Sequence, residues 1–344
     1  MKLLQEYIDL HKNEIENRIR ETVEQKQSED LKIPLYHDAL ARLLDFSIGG
    51  KMLRGLLVLL SAEMFGKKTS DVLNIAAAIE LAHSAFLIHD DIIDEDALRR
   101  GKKTIYAQYE DGENKFYGQS IAICIGDISF FLSTQLISES NIAPNEKNLV
   151  QNYFSGELIK VAAAEMEDFN FGAKNIEPSL EQILNMYKLK SARYTFSMPL
   201  AIGATVCEQD ESTISKLEEF GENLGIVFQI VDDALGITGD ANITGKPVGS
   251  DIRQNKKTVF RKYLYDFYDN KNQLDAIFGK QNADAQDIEI IKQIAIDLKI
   301  QDKIDSLILT HLSAAREILS SLNIPEKYKE YFEELIEYNI SRNK

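Results

Sequence analysis

Three aspartates near the end of a long apolar stretch have the types and spacing of metal ligands. They are Asp90, Asp91 and Asp94, in the segment LAHSAFLIHDDIID that ends at Asp94. On a helix, His83, Asp90 and Asp94 share one face, because offsets of 7 and 11 residues return to nearly the same angle. Like charges one turn apart repel unless a cation lies between them. Carboxylate oxygens suit Mg²⁺, which completes its shell with water and phosphate. The alternative is a solvated helix end that carries acids.

A second acidic pair follows in the segment FQIVDDALG. Gln229, Asp232 and Asp233 fall at i, i+3 and i+4, so they lie on one helix face. Charged pairs that end buried helices are costly unless they are compensated. Two such pairs in one helical bundle can face each other across a cavity and hold a cluster of metal ions. This coincidence favours a functional interpretation of both pairs.

Three clusters of basic residues have the composition of anion sites: Gly49–Arg54, Arg99–Gly101 and Gly245–Thr258. In the first, two glycines precede a helix on which Lys51 and Arg54 share a face, and a helix N-terminus favours an anion. The third is not a Walker A loop, because Asp240 stands in place of its first glycine and Pro247 in place of its Ser/Thr. Each cluster alone is typical of a solvated surface. Beside the two acidic motifs they predict two anion sites.

The elements that position these residues are helices. Only 6 prolines and 18 glycines interrupt 344 residues, and apolar positions recur at three- and four-residue intervals. The clearest predicted helices are Leu53–Phe65, Val72–Asp94, Gln119–Ser138, Leu149–Phe169, Leu180–Ala204 and Ile214–Leu235. No linker or repeat divides the sequence. We expect one all-α domain over residues 1–344, a bundle of long antiparallel helices around a central cavity.

Charge and cysteine content exclude several classes of protein. The chain has 39 Lys and Arg against 55 Asp and Glu, a formal net charge of −16, which argues against a general nucleic-acid or anionic-membrane binder. Cys124 and Cys207 lack C-x-x-C spacing and indicate a reduced, cytoplasmic setting. The N-terminus acquires acids early, and no run of about 18 uncharged apolar residues follows. We therefore expect no signal peptide and no membrane insertion.

The motifs, in this order and spacing, resemble those of the trans-isoprenyl diphosphate synthase (polyprenyl synthetase) family. The match extends by motif from about Leu31 to Thr258. It comprises D-D-x-x-D at Asp90–Asp94 with R-R-G at Arg99–Gly101, G-G-K-x-x-R at Gly49–Arg54, a histidine at His83, K-T as Lys190-Ser191, F-Q-x-x-D-D at Phe228–Asp233, G-K-P-x-G-x-D at Gly245–Asp251 and K-x-T at Lys256–Thr258. The resemblance implies the isoprenoid synthase fold and a short-chain enzyme similar to geranylgeranyl and farnesyl diphosphate synthases.

Besides Ser191, a conservative change in the K-T element, two positions depart from the family pattern. Gly236 occupies the fifth position of the second acidic motif, where many members have aspartate, and Asp240 follows four residues later. Met52 replaces the arginine that often follows the lysine of the G-G-K element. We expect activity to survive the first departure, because Asp232 is the main metal ligand by resemblance. The second weakens one diphosphate contact.

The resemblance implies a magnesium-dependent condensation and assigns its residues. About three Mg²⁺ ions, bound at Asp90, Asp94 and Asp232, hold an allylic diphosphate. The residues that stabilise the departing diphosphate are Arg99, Lys190 and Lys246, and Lys256 also binds substrate. The second substrate, isopentenyl diphosphate, is held by Lys51, Arg54, His83 and Arg100. Ser191 and Gln229 turn oxygen dipoles toward the allylic cation. Family members usually form homodimers.

The product length is predicted from two positions just before the first acidic motif. Phe86 precedes Asp90 by four residues and lies about 5.4 Å deeper along the helix, where a growing chain meets its ring. In the family, aromatic residues four or five positions before the first aspartate shorten the product. Because the fifth position is Ala85, we expect a C15 to C20 product, with longer polyprenyl chains as the alternative. Phe86 as a core residue without this role is the other interpretation.

Two functions from other classes compete with this prediction. A class I terpene cyclase shares the fold and the first acidic motif but needs no second diphosphate site, so Lys51, Arg54 and Arg100 argue against it. A non-catalytic subunit of a heteromeric synthase loses site residues, which this sequence keeps. Glu165 and Asp168, near one helix end, are either a second layer behind the metals or surface acids.

Overall fold

The computed structural model describes residues 2–29, 31–110, 112, 114–174, 176–238 and 249–341. Its α-helices are α1 (Lys2–Gln27), α2 (Pro34–Ser47), α3 (Leu53–Met64), α4 (Thr69–Ile93), α5 (Ile105–Tyr109), α6 (Lys115–Ser138), α7 (Pro144–Ala173), α8 (Leu180–Tyr187), α9 (Met198–Thr205), α10 (Glu211–Thr238), α11 (Ser250–Arg253), α12 (Val259–Phe267), α13 (Lys271–Asp275), α14 (Ala285–Asp297), α15 (Ile300–Ser321) and α16 (Glu326–Ser341). A π-helix covers Lys188–Ser197, and a two-stranded antiparallel ribbon pairs β1 (Leu98–Arg99) with β2 (Lys102–Lys103). The predicted all-α fold is confirmed.

The chain divides into two compact units. Unit 1 comprises Met1–Ser155, Met198–Leu217 and Ile324–Tyr331, and unit 2 comprises Gly156–Ser197, Glu218–Asn323 and Phe332–Lys344. Unit 1 carries the first acidic motif and two of the basic clusters. Unit 2 carries the second acidic motif and the lysines that follow it.

Helix α4 is the central element of unit 1. It packs against α1, α3 and α6, and most of its side chains from Val72 to Asp91 are buried. The run Ala76–Ala78 and the lack of Gly and Pro favour a helix here. The helix ends where Glu95 adopts a left-handed backbone with φ 56°, directly after the three aspartates.

Two helices of unit 1 are long and apolar enough to cross a membrane by length and composition. In α4, 67% of the most apolar 18-residue window is buried, and in α6 the share is 44%. The two helices pack against each other, and Ser129 of α6 donates a 2.7 Å hydrogen bond to the Leu81 carbonyl of α4. Their apolar composition is therefore that of core helices.

One long predicted helix differs from the observed structure. The stretch Leu180–Ala204 is not a continuous α-helix, since its middle part, Lys188–Ser197, is π-helical. This segment packs closely on α10, where a Cβ at Gly225 would lie 2.3 Å from the Ala192 Cα and one at Gly221 would lie 2.5 Å from the Ser197 nitrogen. The two glycines, one helical turn apart, let the wider π-helix approach α10. π-Helical turns occur often at functional sites.

Local capping fixes the elements beside this segment. A capping box joins Ser179 and Gln182 at the start of α8. Thr258 caps α12 by accepting a 3.2 Å hydrogen bond from the Arg261 N–H. The threonine of the K-x-T element therefore starts a helix.

Candidate active site

Arg99 links two aspartates of the first acidic motif. Its Nε donates a 2.7 Å hydrogen bond to Asp91 Oδ1, and its Nη2 lies 3.2 Å from Asp90 Oδ2. The ribbon β1–β2 begins just after α4 and turns this guanidinium back onto the helix end. Asp91 is fully buried, whereas Asp90 and Asp94 are partly exposed. Burial raises the pKa of Asp91 to about 7, although Arg99 opposes this rise.

The aspartates of the first acidic motif point in different directions. Asp90 and Asp94 are the carboxylates that face outward. At the end of the helix, the Asp94 backbone N–H donates a 2.8 Å hydrogen bond to the Asp90 carbonyl. Asp91 faces inward and holds Arg99. The prediction that Asp90 and Asp94 are metal ligands is consistent with their exposure and stays a prediction.

A basic cleft lies next to the first acidic motif in unit 1. A cavity of about 230 Å³ is lined by Asp45, Phe46, Ile48, Gly49, Arg99, Arg100, Lys102, Lys103 and Gln108. Lys102 pairs with Asp45 at 3.0 Å. A Cβ at Gly50 would lie 3.3 Å from an Arg100 Nη atom, so the G-G-K element and the R-R-G element meet here. This cleft has the charge of an anion site.

The helix start beside the cleft depends on a buried carboxylate that the sequence analysis did not identify. Glu80 of α4 accepts a 2.8 Å hydrogen bond from the Gly55 N–H and another from the Arg54 N–H, at the first turn of α3. Burial raises the pKa of Glu80, and the nearby Arg54 and Arg100 oppose the rise. The available signal was a single glutamate within the apolar run from Ile75 to Ala82.

His83 lies on α4 one turn beyond Glu80. Burial lowers its pKa well below the usual 6.5, and the positive charges of Arg54, Arg100 and Arg99 lower it further. The imidazole is therefore neutral at neutral pH. It can hydrogen-bond a diphosphate without adding a charge to the arginines around it.

Met52, which departs from the family pattern in the G-G-K element of unit 1, is a buried residue. Met52 is 3% exposed, and its backbone is left-handed with φ 51° at the start of α3. Its side chain packs inward, whereas Lys51 before it is exposed. The Met52 side chain offers no positive charge to an anion, and the weaker diphosphate contact at this position stays a prediction.

The predicted chain-length residues lie on the face of α4 that meets α6. Phe86 packs edge-on against Phe130 with ring centroids 4.9 Å apart, and Ala85 is fully buried. His89 lies over Phe130 at 5.8 Å, and a Cβ at Gly126 would lie 2.2 Å from the His89 ring. His89 is therefore a packing residue between α4 and α6.

In unit 2, a chain of hydrogen bonds organises the second acidic motif. Ser191 Oγ donates to Gln229 Oε1 at 2.6 Å, and Gln229 Nε2 donates to Asp233 Oδ1 at 2.7 Å. The Tyr187 hydroxyl donates a short hydrogen bond to Asp233 Oδ2 and accepts one from the Val259 N–H at 3.0 Å. Sequence analysis missed Tyr187, and the only signal was its place three residues before Lys190.

The two aspartates of the second motif have different environments. Asp232 is exposed and Asp233 is buried. Burial raises the pKa of Asp233 well above its usual value, and Asp251 and Asp232 raise it further. Gly236 lies within α10 and offers no side-chain ligand. Asp232 is thus the aspartate of this pair that can meet a metal ion.

The lysines of unit 2 have acidic neighbours. Lys190 Nζ lies 2.7 Å from Asp168 and 2.9 Å from Glu165, so the two acids that the sequence singled out contact a predicted site residue. Lys256 is partly buried, while its neighbour Lys257 is buried and bonds Glu177 at 2.8 Å. Lys246 lies outside the described residues.

The donor set fits Mg²⁺. In the part of the chain that the structure describes, no three His, Cys, Asp or Glu side chains form a preassembled metal cage. Mg²⁺ commonly uses one or two carboxylates and completes its shell with water and substrate phosphate. The partly exposed Asp90 and Asp94 in unit 1 and the exposed Asp232 in unit 2 offer oxygen donors of this kind.

Comparison with known proteins agrees with this geometry. The family model "Polyprenyl synthetase" matches residues 37–295. Geranylgeranyl diphosphate synthase of Sulfolobus acidocaldarius is 30% identical over 98% of this chain and 99% of its own length. Geranylfarnesyl diphosphate synthase of Aeropyrum pernix is 31% identical over 86% of this chain and 91% of its own. The crystal structure of geranylgeranyl pyrophosphate synthase from Corynebacterium glutamicum, complexed with isoprenyl diphosphate and magnesium, superposes with a TM-score of 0.89 at 25% identity over 99% of each chain.

The all-α fold and the paired acidic and basic motifs define a trans-prenyltransferase. The chain belongs to the polyprenyl synthetase family, and it is a trans-prenyltransferase of the short-chain type. The terpene cyclase and non-catalytic alternatives are not favoured, because the relatives above are named as synthases.

Proposed function

We propose that the protein condenses isopentenyl diphosphate with an allylic diphosphate to give geranylgeranyl or farnesyl diphosphate. The observation that carries the proposal is the arrangement around Arg99 and Arg100 in unit 1. Arg99 bonds the first acidic motif, while the adjacent Arg100 lines the basic cleft and lies against Gly50. Carboxylates for a metal-bound diphosphate and a cationic site for a second one thus lie side by side. A synthase needs both, whereas a terpene cyclase needs only the first.

The basic cleft receives isopentenyl diphosphate in this proposal. Lys51, Arg54 and Arg100 supply positive charge, and the first turn of α3 adds N–H groups and a favourable dipole. Neutral His83 adds a hydrogen bond. Positioning the double bond next to the reacting carbon supplies much of the rate.

The allylic diphosphate loses its leaving group at the acidic motifs. Asp90, Asp94 and Asp232 are the residues that would hold Mg²⁺, about three ions in all, and the bound metal would supply positive charge to the departing diphosphate. Arg99, Lys190, Lys246 and Lys256 contribute cationic charge to the same leaving group. The allylic diphosphate thereby becomes a carbocation and free diphosphate.

The cation is stabilised by oxygen dipoles and captured by the second substrate. Ser191 and Gln229 present lone pairs toward the positive carbon. The double bond of isopentenyl diphosphate attacks that carbon, a new carbon–carbon bond forms, and the released diphosphate removes the final proton. Apolar surroundings exclude water, which quenches the cation.

The product length follows from Phe86. Its ring and that of Phe130 close the face of α4 one turn below Asp90, which supports a C15 to C20 product. The relatives named above include a geranylgeranyl synthase, whose C20 product lies within this range, and a geranylfarnesyl synthase, whose C25 product lies one isoprene unit above it.

We include a homodimer and a cytoplasmic location in the proposal. Helix α6 exposes large apolar side chains at Phe116 (78%), Ile123 (47%) and Phe131 (72%), which supports burial of this face against a second copy. The two cysteines are free, as expected in a reducing compartment. Light scattering coupled to size exclusion tests the dimer, which Phe131→Glu should weaken.

Product analysis tests the proposed function. The full chain is incubated with Mg²⁺, labelled isopentenyl diphosphate and a C5, C10 or C15 allylic diphosphate, and the dephosphorylated products are separated by chromatography. A C15 or C20 alcohol is expected, and chelation of the metal should abolish it. Products of C25 or longer would overturn the length assignment. No elongated product from any starter would overturn the proposed function.

A further inference from the structure

The hydroxyl of Tyr187 lies where three motif-bearing segments of unit 2 meet. Tyr187 is the last residue of α8 and is 3% exposed. Its hydroxyl accepts a hydrogen bond from the Val259 N–H at 3.0 Å, at the first residue of α12. It donates to Asp233 Oδ2 on α10. One phenol therefore joins the residue that follows the K-x-T element to the second acidic motif.

Asp233 connects Tyr187 to Gln229 and Ser191, the two residues assigned to the allylic cation. Its other oxygen, Oδ1, accepts from Gln229 Nε2 at 2.7 Å, and Gln229 Oε1 accepts from Ser191 Oγ at 2.6 Å. With both ends of the amide engaged, Gln229 cannot turn over without losing both bonds. The Ser191 proton points at Gln229, which leaves the serine lone pairs free to face the substrate.

The donor and acceptor roles in this series of hydrogen bonds depend on Asp233 keeping its position. A buried carboxylate is costly unless each oxygen has a donor. Gln229 satisfies Oδ1 and Tyr187 satisfies Oδ2. Without the phenol hydroxyl, one oxygen loses its donor, so the carboxylate is expected to rotate or shift and to release the Gln229 amide.

We propose that Tyr187 is a positioning residue of prenyl transfer, which fixes Asp233 and thereby the orientation of Gln229 and Ser191 toward the allylic cation. The proposal rests on the proposed function, because it gives Tyr187 a role in that reaction. Tyr187 acts through Asp233 and contacts no substrate itself. Its effect therefore falls on the catalytic step and not on substrate binding.

The first experiment compares Tyr187→Phe with a matched control. Tyr265→Phe removes the same hydroxyl from another buried tyrosine of unit 2, which donates to Asp275 Oδ1 at 2.7 Å. In steady-state assays with a C10 allylic diphosphate, isopentenyl diphosphate and Mg²⁺, Tyr187→Phe should lower kcat by about 10- to 100-fold. The KM for both substrates should stay within about twofold. The control should keep wild-type kcat.

A double-mutant comparison separates positioning from general destabilisation. In a Gln229→Ala background, Tyr187→Phe has no amide left to position, so its further effect on kcat should be within about threefold. A merely structural role would lower kcat by the same factor in both backgrounds and would overturn the proposal.

A second variant keeps the tyrosine and removes its anchor. Val259→Pro deletes the N–H that bonds the Tyr187 hydroxyl, at the first position of α12, where proline is well tolerated. The preceding Thr258 already has an extended backbone with ψ 163°, as a residue before proline requires. We expect a smaller loss of kcat, about 2- to 10-fold, which disappears in the Gln229→Ala background. This variant keeps the test available if Tyr187→Phe folds poorly.

The outcomes distinguish the two proposals. If the wild-type protein forms no prenyl product, the proposed function fails. If the wild-type protein is active and Tyr187→Phe matches Tyr265→Phe in kcat, the proposed function stands and the positioning role fails.

Discussion

The carboxylate of Glu80 holds the Gly55 backbone N–H at 2.8 Å and thereby fixes the first turn of α3. Glu80 lies in the middle of α4, among alanines and isoleucines. The first turn of α3 carries Arg54, a predicted diphosphate ligand. A buried acid on one helix therefore sets the position of a basic site on the next.

Removal of this carboxylate should impair binding of one substrate selectively. Glu80→Ala leaves two buried backbone N–H groups without an acceptor and opens a cavity, so we expect a loss of about 2–4 kcal/mol in the free energy of unfolding. The KM for isopentenyl diphosphate should rise more than the KM for the allylic substrate. Glu80→Gln keeps one acceptor and the shape, and it should fall between wild type and Glu80→Ala. Equal changes in both KM values would contradict this role.

Asp90 should be essential for turnover. Asp90→Ala removes an exposed carboxylate from the first acidic motif, and we expect kcat to fall about 100-fold or more, because the charge on the leaving diphosphate loses its compensation. Asp71→Ala is the matched control, since Asp71 lies in the first turn of the same helix. The rate of formation of isotope-labelled product at saturating Mg²⁺ gives kcat for both variants. Retention of more than a tenth of wild-type turnover in Asp90→Ala speaks against its predicted role.

Replacement of Phe86 should lengthen the product. Phe86→Ala removes the ring that packs on Phe130 at 4.9 Å, so a growing chain can pass one turn deeper along α4. We expect products longer than those of wild type, while Ala85→Phe should shorten them. Phe267→Ala, a half-exposed phenylalanine of unit 2, serves as the control and should leave the product distribution unchanged. If Phe86→Ala gives the same product chain lengths as wild type, Phe86 does not determine the product length.

Much of the fold was predictable because apolar periodicity and the lack of glycine and proline both point to helices. The predicted boundaries of α3, α4 and α10 lie within three residues of the observed ones. The π-helix at Lys188–Ser197 was not predictable, because its backbone depends on the close approach of Gly221 and Gly225 on α10. Contacts between segments distant in sequence leave no local pattern.

Some site residues were predictable from the sequence and others were not. Residues that face outward, such as Asp90, Asp232 and Lys51, belong to short motifs that the sequence displays. Glu80 and Tyr187 lie outside these motifs, and they position the first turn of α3 and the Asp233 carboxylate. Their roles become visible only when their hydrogen-bond partners are known.

His83 should make stability depend on pH in a defined window. Its folded pKa lies below the usual 6.5 because of burial and the neighbouring arginines. Below about pH 6.5 the unfolded chain binds the proton and the folded chain does not, so this residue destabilises the fold as pH falls and has no such effect above that pH.

His83→Gln removes this contribution. The difference in Tm between His83→Gln and wild type should become more positive from pH 7.5 to pH 5.5, by about 1–2 °C. Thermal denaturation across this range measures it. A difference that stays constant with pH would show that the histidine titrates alike in both states.

Two glycine-to-alanine substitutions test the packing of the π-helix. A Cβ at Gly225 would lie 2.3 Å from the Ala192 Cα, whereas a Cβ at Gly156 in α7 would meet nothing within 4 Å. Gly225→Ala should therefore cost about 3 kcal/mol or more, and Gly156→Ala should stabilise by about 0.5–1 kcal/mol, because alanine favours the helix.

The same pair of variants separates packing from catalysis. Since the π-helix carries Lys190 and Ser191, Gly225→Ala should also lower kcat, measured at a temperature at which the variant is still folded. Gly156→Ala should keep wild-type kcat. If Gly225→Ala matched Gly156→Ala in both Tm and kcat, the close contact between α10 and the π-helix would not be what holds these two residues in place.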